Sequence, residues 1–77
     1  DVEDQFSIKE LGQVINQFVA SLSEREQNLF VRRYFFSDPI KAIANRYDLN
    51  ESTVHVTLSR IRKRLRSHLS KEGYFDE

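Results

Sequence analysis

The chain contains no cysteine, which excludes a disulfide scaffold, a thiolate nucleophile and any zinc site built on cysteine. One proline and two glycines are too few for an all-β meander, which needs many turns. No stretch approaches the ~20 apolar residues that a membrane span requires, and no charged and then apolar leader opens the sequence. We therefore expect no signal peptide, no membrane partner and a cytoplasmic location.

The composition indicates one small folded domain. The chain has 77 residues, of which 39% are apolar and 31% are charged. This apolar content is too high for an obligately disordered protein, and a chain this short rarely supports two cores. No internal repeat, low-complexity run or Gly/Ser linker divides it.

A net charge of zero conceals a strong partition along the chain. Residues 1–31 carry −4, residues 32–71 carry +7, and residues 72–77 carry −3. A basic block between two acidic ones predicts a surface that faces an anionic partner.

The first two predicted helices each begin at a serine followed three residues later by glutamate. Ser7 with Glu10, and Ser23 with Glu26, match the capping box, in which each side chain accepts a backbone N–H of the other residue. Apolar residues at helical spacing follow the first serine: Ile8, Leu11, Ile15, Phe18, Val19 and Leu22.

The second helix has an aromatic end, which we expect to pack in the core. Four rings are involved: Phe30, Tyr34, Phe35 and Phe36. For the last of them, exposure to a partner is the alternative. Arg32 and Arg33 in the same helix either contact a phosphate or form a salt bridge with Glu51 or Asp48.

Two further helices follow a break at Asp38-Pro39. We expect Asp38 to cap a short helix and Pro39 to take its first helical position, where a missing N–H costs nothing. Residues 48–50 then form a tight turn, and Asn50 caps a fourth helix from about 51 to about 70 that stops before Gly73.

These elements predict an all-α fold: a compact four-helix domain with a C-terminal helix-turn-helix. Residues 1–6 are interpreted as a flexible, linker-like lead, residues 7–71 as the domain, and residues 72–77 as an acidic and aromatic tail. We expect the tail to be loosely held, with docking of its aromatic pair as the alternative.

The fourth helix has two contrasting faces. At 100° per residue, an aliphatic stripe occupies roughly 80° and is predicted to face the core: Val54, Leu58, Ile61, Leu65 and Leu69. Small polar residues and cations occupy the opposite face: Ser52, His55, Val56, Ser59 and Lys63, with Arg60, Arg62 and Arg66 on its flanks.

This order of side chains suits DNA. A helix that enters the major groove needs short hydrogen-bonding residues near its N-terminus, where it meets base edges, and cations around them for phosphates. Val56 is apolar on an otherwise polar face and is suitable for contact with a thymine methyl group. The alternative is that the basic run 60–66 is only a solvated surface.

Several segments together resemble region 4 of bacterial RNA polymerase sigma factors, most closely those of the small extracytoplasmic-function type. The resemblance covers about residues 8–69 and is carried by Leu-Ser-Glu-Arg-Glu-Gln at 22–27, Phe-Val-Arg-Arg-Tyr-Phe at 30–35, Ile-Ala at 43–44, Ser-Thr-Val at 52–54 and Leu-Ser-Arg-Ile-Arg-Lys-Arg-Leu at 58–65.

The resemblance implies that the fourth helix reads the promoter −35 element. Carried over by position, the base-reading candidates are His55, Val56, Ser59 and Arg60. Phosphate or flanking contacts would come from Ser52, Thr53, Thr57 and Arg62. Lys63 and Arg66 complete the predicted DNA-binding set.

The sequence departs from the family pattern at four positions. Cations are usual where His55 and Thr57 stand, glycine is common at Ser52, and a serine usually caps the third helix where Pro39 stands. Two missing cations near the base edges leave the base preference open and predict weaker attraction to phosphate.

The resemblance also implies protein partners. Region 4 of sigma factors sits on the β-subunit flap of the RNA polymerase core, mainly through an apolar patch on its first helices, and an anti-sigma factor is a further candidate partner. We expect this chain to be the C-terminal piece of a longer sigma factor rather than one half of a split one.

Two other functions stay open at this point. One is a protein-interaction module of the same fold, held by an anti-sigma factor or another regulator, with little DNA affinity of its own. The other is the helix-turn-helix of two-component response regulators, which shares a Ser-Glu-Arg-Glu start but usually breaks after the recognition helix.

Catalysis and metal binding have little support. His55 and His68 are the only histidines, and thirteen residues along one helix separate them by about 20 Å. No glycine-rich phosphate loop or forced pair of carboxylates is present. We therefore expect no enzyme activity, no catalytic residue, no cofactor and no metal.

Overall fold

Four helices account for most of the chain. The structure is a computed structural model that describes the backbone of residues 2–75 and the side chains of residues 8–75. In chain order the helices are α1 (Val2–Ser21), α2 (Glu24–Tyr34), α3 (Ile40–Arg46) and α4 (Glu51–Lys71). The all-α class and the helix-turn-helix are confirmed.

Helix α1 begins earlier than the sequence suggested. It starts at Val2, so Ser7 lies inside the helix and the prediction that Ser7 caps it is wrong. The residues before Ser7 include no proline or glycine that would stop a helix. The division of the chain at residue 7 stays a prediction.

Among the described side chains of α1, residues 8–21, only those of the later part pack tightly. Phe18 is buried in α1 and Leu22 just beyond its end, whereas the side chain of Ile8 is 70% exposed. Three further members of the predicted stripe are half-buried: Leu11, Ile15 and Val19. The stripe is therefore a core face toward its C-terminal end alone.

The capping box at the start of α2 is formed as predicted. Ser23 Oγ accepts a hydrogen bond from the Glu26 backbone N–H at 3.2 Å, and Glu26 Oε1 accepts one from the Ser23 N–H at 3.0 Å. Two N–H groups at the helix start, which lack helical partners, are thereby satisfied.

The connection from α2 to α3 differs from the prediction. Pro39 is the residue before α3 rather than its first helical residue, and the Asp38 carboxylate does not cap the helix. It pairs instead with Arg32, at 2.7 Å from Oδ2 to Nε, and Arg33 Nη1 donates to the Asp38 carbonyl oxygen at 3.0 Å. The predicted partners Glu51 and Asp48 were therefore wrong.

The cause is a reversal of the chain at Ser37. Its φ of 58° turns the backbone so that the Asp38 N–H reaches the Arg32 carbonyl oxygen at 2.9 Å. This folds Asp38 back over the last turn of α2, within reach of both arginines. A single positive φ at a serine carries no clear sequence signal.

The turn of the helix-turn-helix is a Schellman-type end of α3. Asp48 has φ of 54°, and the Leu49 N–H donates to the Ala44 carbonyl oxygen at 2.9 Å. Leu49 thereby packs on the core. Asn50 then caps α4, as predicted, by accepting the Thr53 N–H on Oδ1 at 2.8 Å.

The core consists of two clusters that share α4. The first joins α2, α3 and the beginning of α4: Leu29, Ile43, Ala44, Val54 and Leu58. The second joins α1, α2 and the middle of α4: Phe18, Leu22, Phe30 and Ile61. The predicted aliphatic stripe of α4 is confirmed, with Leu65 half-buried against the second cluster and Leu69 buried.

The aromatic end of α2 is mostly outside the core. Phe30 is buried, but Tyr34 is 40% exposed and Phe35 and Phe36 are each 59% exposed. The prediction of core packing was therefore wrong for Tyr34 and Phe35, whereas Phe36 is exposed, as its alternative stated. Because α2 ends at Tyr34, the last two rings lie beyond its final turn.

Gly73 ends α4 as predicted. Its φ is 91°, and the Tyr74 N–H donates to the Leu69 carbonyl oxygen at 2.9 Å, a second Schellman-type end. Tyr74 is half-buried and Phe75 is 40% exposed. The acidic end of the tail, residues 76–77, lies outside the described residues.

The left-handed conformation at Asp48 gives a stability prediction. We expect Asp48→Val to lower the free energy of unfolding by about 1–2 kcal/mol, because a β-branched side chain clashes with the backbone at positive φ. Asp48→Asn keeps the shape, tolerates this conformation and removes a negative charge from the C-terminal end of α3, so it should be at least as stable as the wild type. Urea unfolding followed by circular dichroism measures both; equal stability of Asp48→Val and the wild type would contradict the assigned turn.

Candidate nucleic-acid interface

A cleft lies between the start of α2 and the first half of α4. We call it the α2–α4 cleft. Its lining residues come from the first turn of α2 and from one flank of α4: Ser23, Arg25, Glu26, Ser52, Thr53, Val56, Thr57 and Arg60. It is built by the capping box on one side and the Asn50 cap on the other, so its two walls are helix N-termini with defined starts.

Every predicted DNA-binding side chain lies outside the buried core. The exposed ones are Ser52, His55, Val56, Arg60, Arg62, Lys63 and Arg66, and the half-buried ones are Thr53, Thr57 and Ser59. Five of these ten line the α2–α4 cleft: Ser52, Thr53, Val56, Thr57 and Arg60. Their role in binding stays a prediction.

The Ser52 hydroxyl group at the start of α4 already takes part in the cap. Ser52 Oγ donates to Asn50 Oδ1 at 2.9 Å, and the same oxygen accepts the Thr53 N–H. In this arrangement Ser52 presents an acceptor outward, so donation to a phosphate requires its hydroxyl to rotate away from Asn50.

Val56 is the apolar residue among those that line the cleft. Its side chain is 48% exposed and lies between threonine, serine and arginine side chains. An exposed isopropyl group at this place suits contact with a thymine methyl group, which is the one apolar feature of the major-groove edges.

Arg62 lies on the other flank of α4. It is about 160° around the helix from Arg60, and its Nη1 donates to the Tyr34 hydroxyl oxygen at 2.7 Å. The structure therefore does not bring Arg62 into the cleft with Arg60.

Arg66 is the most C-terminal of the predicted contacts. Its guanidinium lies over the ring of Phe75, 4.8 Å from the centroid, which is cation–π geometry. Together with Lys63 and Lys71 it belongs to a basic surface along the second half of α4.

The cleft includes one cation that the sequence analysis missed. Arg25 is one of only two basic residues in the acidic segment 1–31, and that isolation was its one signal in the sequence. Its position beside Thr53 and Arg60 depends on how α2 crosses α4, which no local pattern reveals.

Glu26 is the most constrained acid in the described part of the interface. Besides Ser23, its carboxylate holds Arg64, with Oε2 at 2.6 Å from Nη1. The backbone N–H of Ser23 lowers the pKa of Glu26 most, burial opposes that change, and Arg64 lowers it further. The carboxylate is therefore ionised at neutral pH.

Metal and membrane sites have no basis in the described residues. His68 is half-buried with its ring 5.7 Å from that of Phe18, and its Nε2 has no hydrogen-bond partner. Nowhere in residues 8–75 do three or more His, Asp or Glu side chains meet in a way that could hold a metal ion. No helix in the described part of the chain is long and apolar enough to cross a membrane.

Comparison with known proteins identifies the family. The model of the family described as Sigma-70, region 4 matches residues 12–65, which span both core clusters and the whole α2–α4 cleft. The chain belongs to the sigma-70 region 4 family. No curated protein and no solved structure gives a significant match.

Membership gives the domain a general role. Sigma-70 region 4 is a DNA-binding regulatory domain of transcription initiation, not a known enzyme family, and it interacts with DNA and with RNA polymerase. The match is consistent with the resemblance to the extracytoplasmic-function type. It ends at Leu65, so Arg66 and the tail lie outside it.

The double contact of Glu26 gives a prediction of pH dependence. Because its pKa is lower in the folded state than in the unfolded chain, ionised Glu26 stabilises the fold above its ordinary pKa of about 4.3, and this contribution is lost as the pH falls through the lower folded value. We expect Glu26→Ala to cost about 1 kcal/mol at pH 7 and much less at pH 3.

Urea unfolding at the two pH values measures this difference. Glu24→Ala removes a neighbouring acid from the same turn and is the control, since Glu24 is exposed. A cost of Glu26→Ala that is the same at pH 3 and pH 7 would show that the ionised carboxylate is not what stabilises the fold.

Proposed function

We propose that this domain recognises the −35 element of promoters as the C-terminal part of a sigma factor and positions RNA polymerase there. Helix α4 enters the major groove, its first turns meet the bases, and its flanks meet phosphates. The general role of the family in DNA binding supports this proposal.

One observation carries the proposal. The aliphatic stripe of α4 is buried, which turns the opposite face, with its small residues first and its cations later, toward solvent. A face built in this order fits base edges at the helix start and phosphates along its later turns. The core thereby supports the proposed orientation, because it holds α4 with this face toward solvent.

The side chains divide into two roles in this proposal. Bases are read by His55, Val56, Ser59 and Arg60. Phosphates and flanking positions are held by Ser52, Thr53, Thr57, Arg62, Lys63 and Arg66, to which the cleft adds Arg25. Arg62 already donates one N–H to the Tyr34 hydroxyl group, so in this proposal its other N–H groups are the ones that meet phosphate.

The polymerase contact is proposed on the side of the first helices, at the β-subunit flap. The apolar side of α1 supports this, because Ile8 is exposed and Leu11 is only half-buried. The acidic segment 1–31 also favours a protein partner over DNA, since phosphates repel it.

A second candidate function is a protein-interaction module that an anti-sigma factor or another regulator holds. Two observations favour it: the cations missing at His55 and Thr57, and the exposed rings of Tyr34, Phe35 and Phe36. The response-regulator alternative is less favoured, because α4 runs for 21 residues without a break.

Salt dependence of DNA binding separates these functions. We expect weak binding of the 77-residue chain to duplex DNA, with a log–log salt slope of about −3 to −5, because a few phosphate contacts release that many counterions. Fluorescence anisotropy with a duplex selected by the chain from a random pool measures it. No binding at low salt, or an affinity that salt does not change, would favour the interaction module.

Two arginine variants separate base reading from phosphate contact. We expect Arg60→Ala to relax base preference at one position and to cost about 1–3 kcal/mol there, because an arginine to guanine pair is lost. Arg66→Ala should weaken binding to all sequences alike. Selection of preferred sequences with each variant measures this, and an Arg60→Ala variant that weakens every sequence equally would exclude Arg60 as a base contact.

A further inference from the structure

The Glu26 carboxylate joins two helices through two different oxygen atoms. Oε1 accepts the Ser23 N–H within α2, and Oε2 accepts Arg64 Nη1 from α4, at 2.6 Å and 38 residues away. The Arg64 side chain is 49% exposed, so it has room to adopt other rotamers if this partner is removed.

We propose that Glu26 is a positioning residue that withholds Arg64 from the DNA backbone. Arg64 is then a structural cation, and the cleft presents Arg25 and Arg60 to the duplex without it. This inference rests on the proposed function, and it assigns a role to two residues outside the predicted DNA-binding set.

Arg64 lies close enough to the proposed DNA contacts on α4 for its pairing with Glu26 to affect DNA binding. Arg64 lies one turn after Arg60 on the same flank, about 6 Å further along the helix axis. A guanidinium at that place is within reach of phosphates that flank the bases proposed to be read by Arg60. Its pairing with Glu26 instead points it at the start of α2 and neutralises its charge.

The charge balance of the cleft supports the same role. Glu26 is the one acid among the residues that line the α2–α4 cleft, beside two arginines. An anionic group there repels phosphate unless a cation covers it, and Arg64 is that cation. The ion pair therefore has two effects. It neutralises the Glu26 carboxylate in the cleft, and it keeps Arg64 away from the DNA backbone.

The chain offers a matched control that separates the release of Arg64 from the loss of one negative charge. Glu26→Gln and Glu24→Gln remove the same charge from the same helical turn. Glutamine at 26 also keeps an amide oxygen that accepts the Ser23 N–H, so the start of α2 is preserved. Only the variant at 26 releases Arg64.

The experiment measures binding of the 77-residue chain to the selected duplex and to a scrambled duplex of the same composition over a range of salt. We expect Glu26→Gln to bind both duplexes about three- to tenfold more tightly at low salt, with a salt slope steeper by about 0.9, which is one additional phosphate. Glu24→Gln should leave the slope unchanged. A Glu26→Gln variant that behaves like Glu24→Gln would overturn the inference.

Variants of Arg64 provide a second test. We expect Arg64→Gln alone to weaken binding to both duplexes, because it uncovers the Glu26 carboxylate in the cleft. The double variant Glu26→Gln with Arg64→Gln removes both charges of the pair, so it should lose the additional affinity and keep the wild-type slope. If the double variant has a slope shallower than that of the wild type by about one phosphate, Arg64 already contacts DNA and the inference is wrong.

These experiments distinguish failure of the inference from failure of the proposed function. If the wild-type chain binds neither duplex at low salt, the proposed function fails and the inference fails with it. If the wild type binds with a salt-dependent affinity while the two glutamate variants coincide, only the role of Glu26 is rejected. Circular dichroism confirms that each variant is folded.

Discussion

Burial of the aliphatic side of α4 is the constraint on which the rest of the structure depends. Val54, Leu58 and Ile61 are fully buried, and each belongs to one of the two core clusters. At about 25 cal/mol per Å² of apolar surface, these side chains are among the largest contributions that so small a domain has. Rotation of α4 would expose them, so the face with His55 and Arg60 points outward by necessity.

Polar contacts between α2 and α4 supplement this packing. Helix α2 is joined to opposite flanks of α4 near its two ends: Glu26 near the start pairs with Arg64, and Tyr34 at the end accepts from Arg62. Each contact is partly exposed and contributes little stability on its own. Together they join both ends of α2 to α4, and the Glu26 pair does so at the α2–α4 cleft.

Local patterns in the sequence were sufficient for much of this fold. The N-caps Ser23 and Asn50, the aliphatic stripe of α4 and the stop at Gly73 were predictable, because each depends on residues within a turn or two of one another. The start of α1 was not, since Ser7 has the same capping signal whether or not the helix continues before it. The Arg32–Asp38 pair was not predictable either, because it depends on a positive φ at Ser37 and a serine in the sequence does not indicate that conformation.

The candidate site was predictable only in part for a related reason. A helical wheel identifies which side of α4 is exposed, but it gives no information on which other helix lies beside each flank. Arg25 was therefore not predicted to lie at the site. Arg62 was predicted to bind DNA together with residues that lie on the opposite flank of α4. The aromatic end of α2 shows the same limit, because spacing alone does not reveal that Phe35 and Phe36 lie past the final turn.

The division of the core into two clusters has a mechanical consequence. Helix α1 contributes to one cluster only, together with Phe30 and Ile61, whereas the cluster around Leu29 and Ile43 belongs to α2, α3 and the start of α4. The second cluster therefore depends on Phe18 and Leu22, whereas the first cluster contains no residue of α1. Displacement of α1 would uncover Phe30 and Ile61 and leave the contacts of the helix-turn-helix around Ile43 and Leu58 in place.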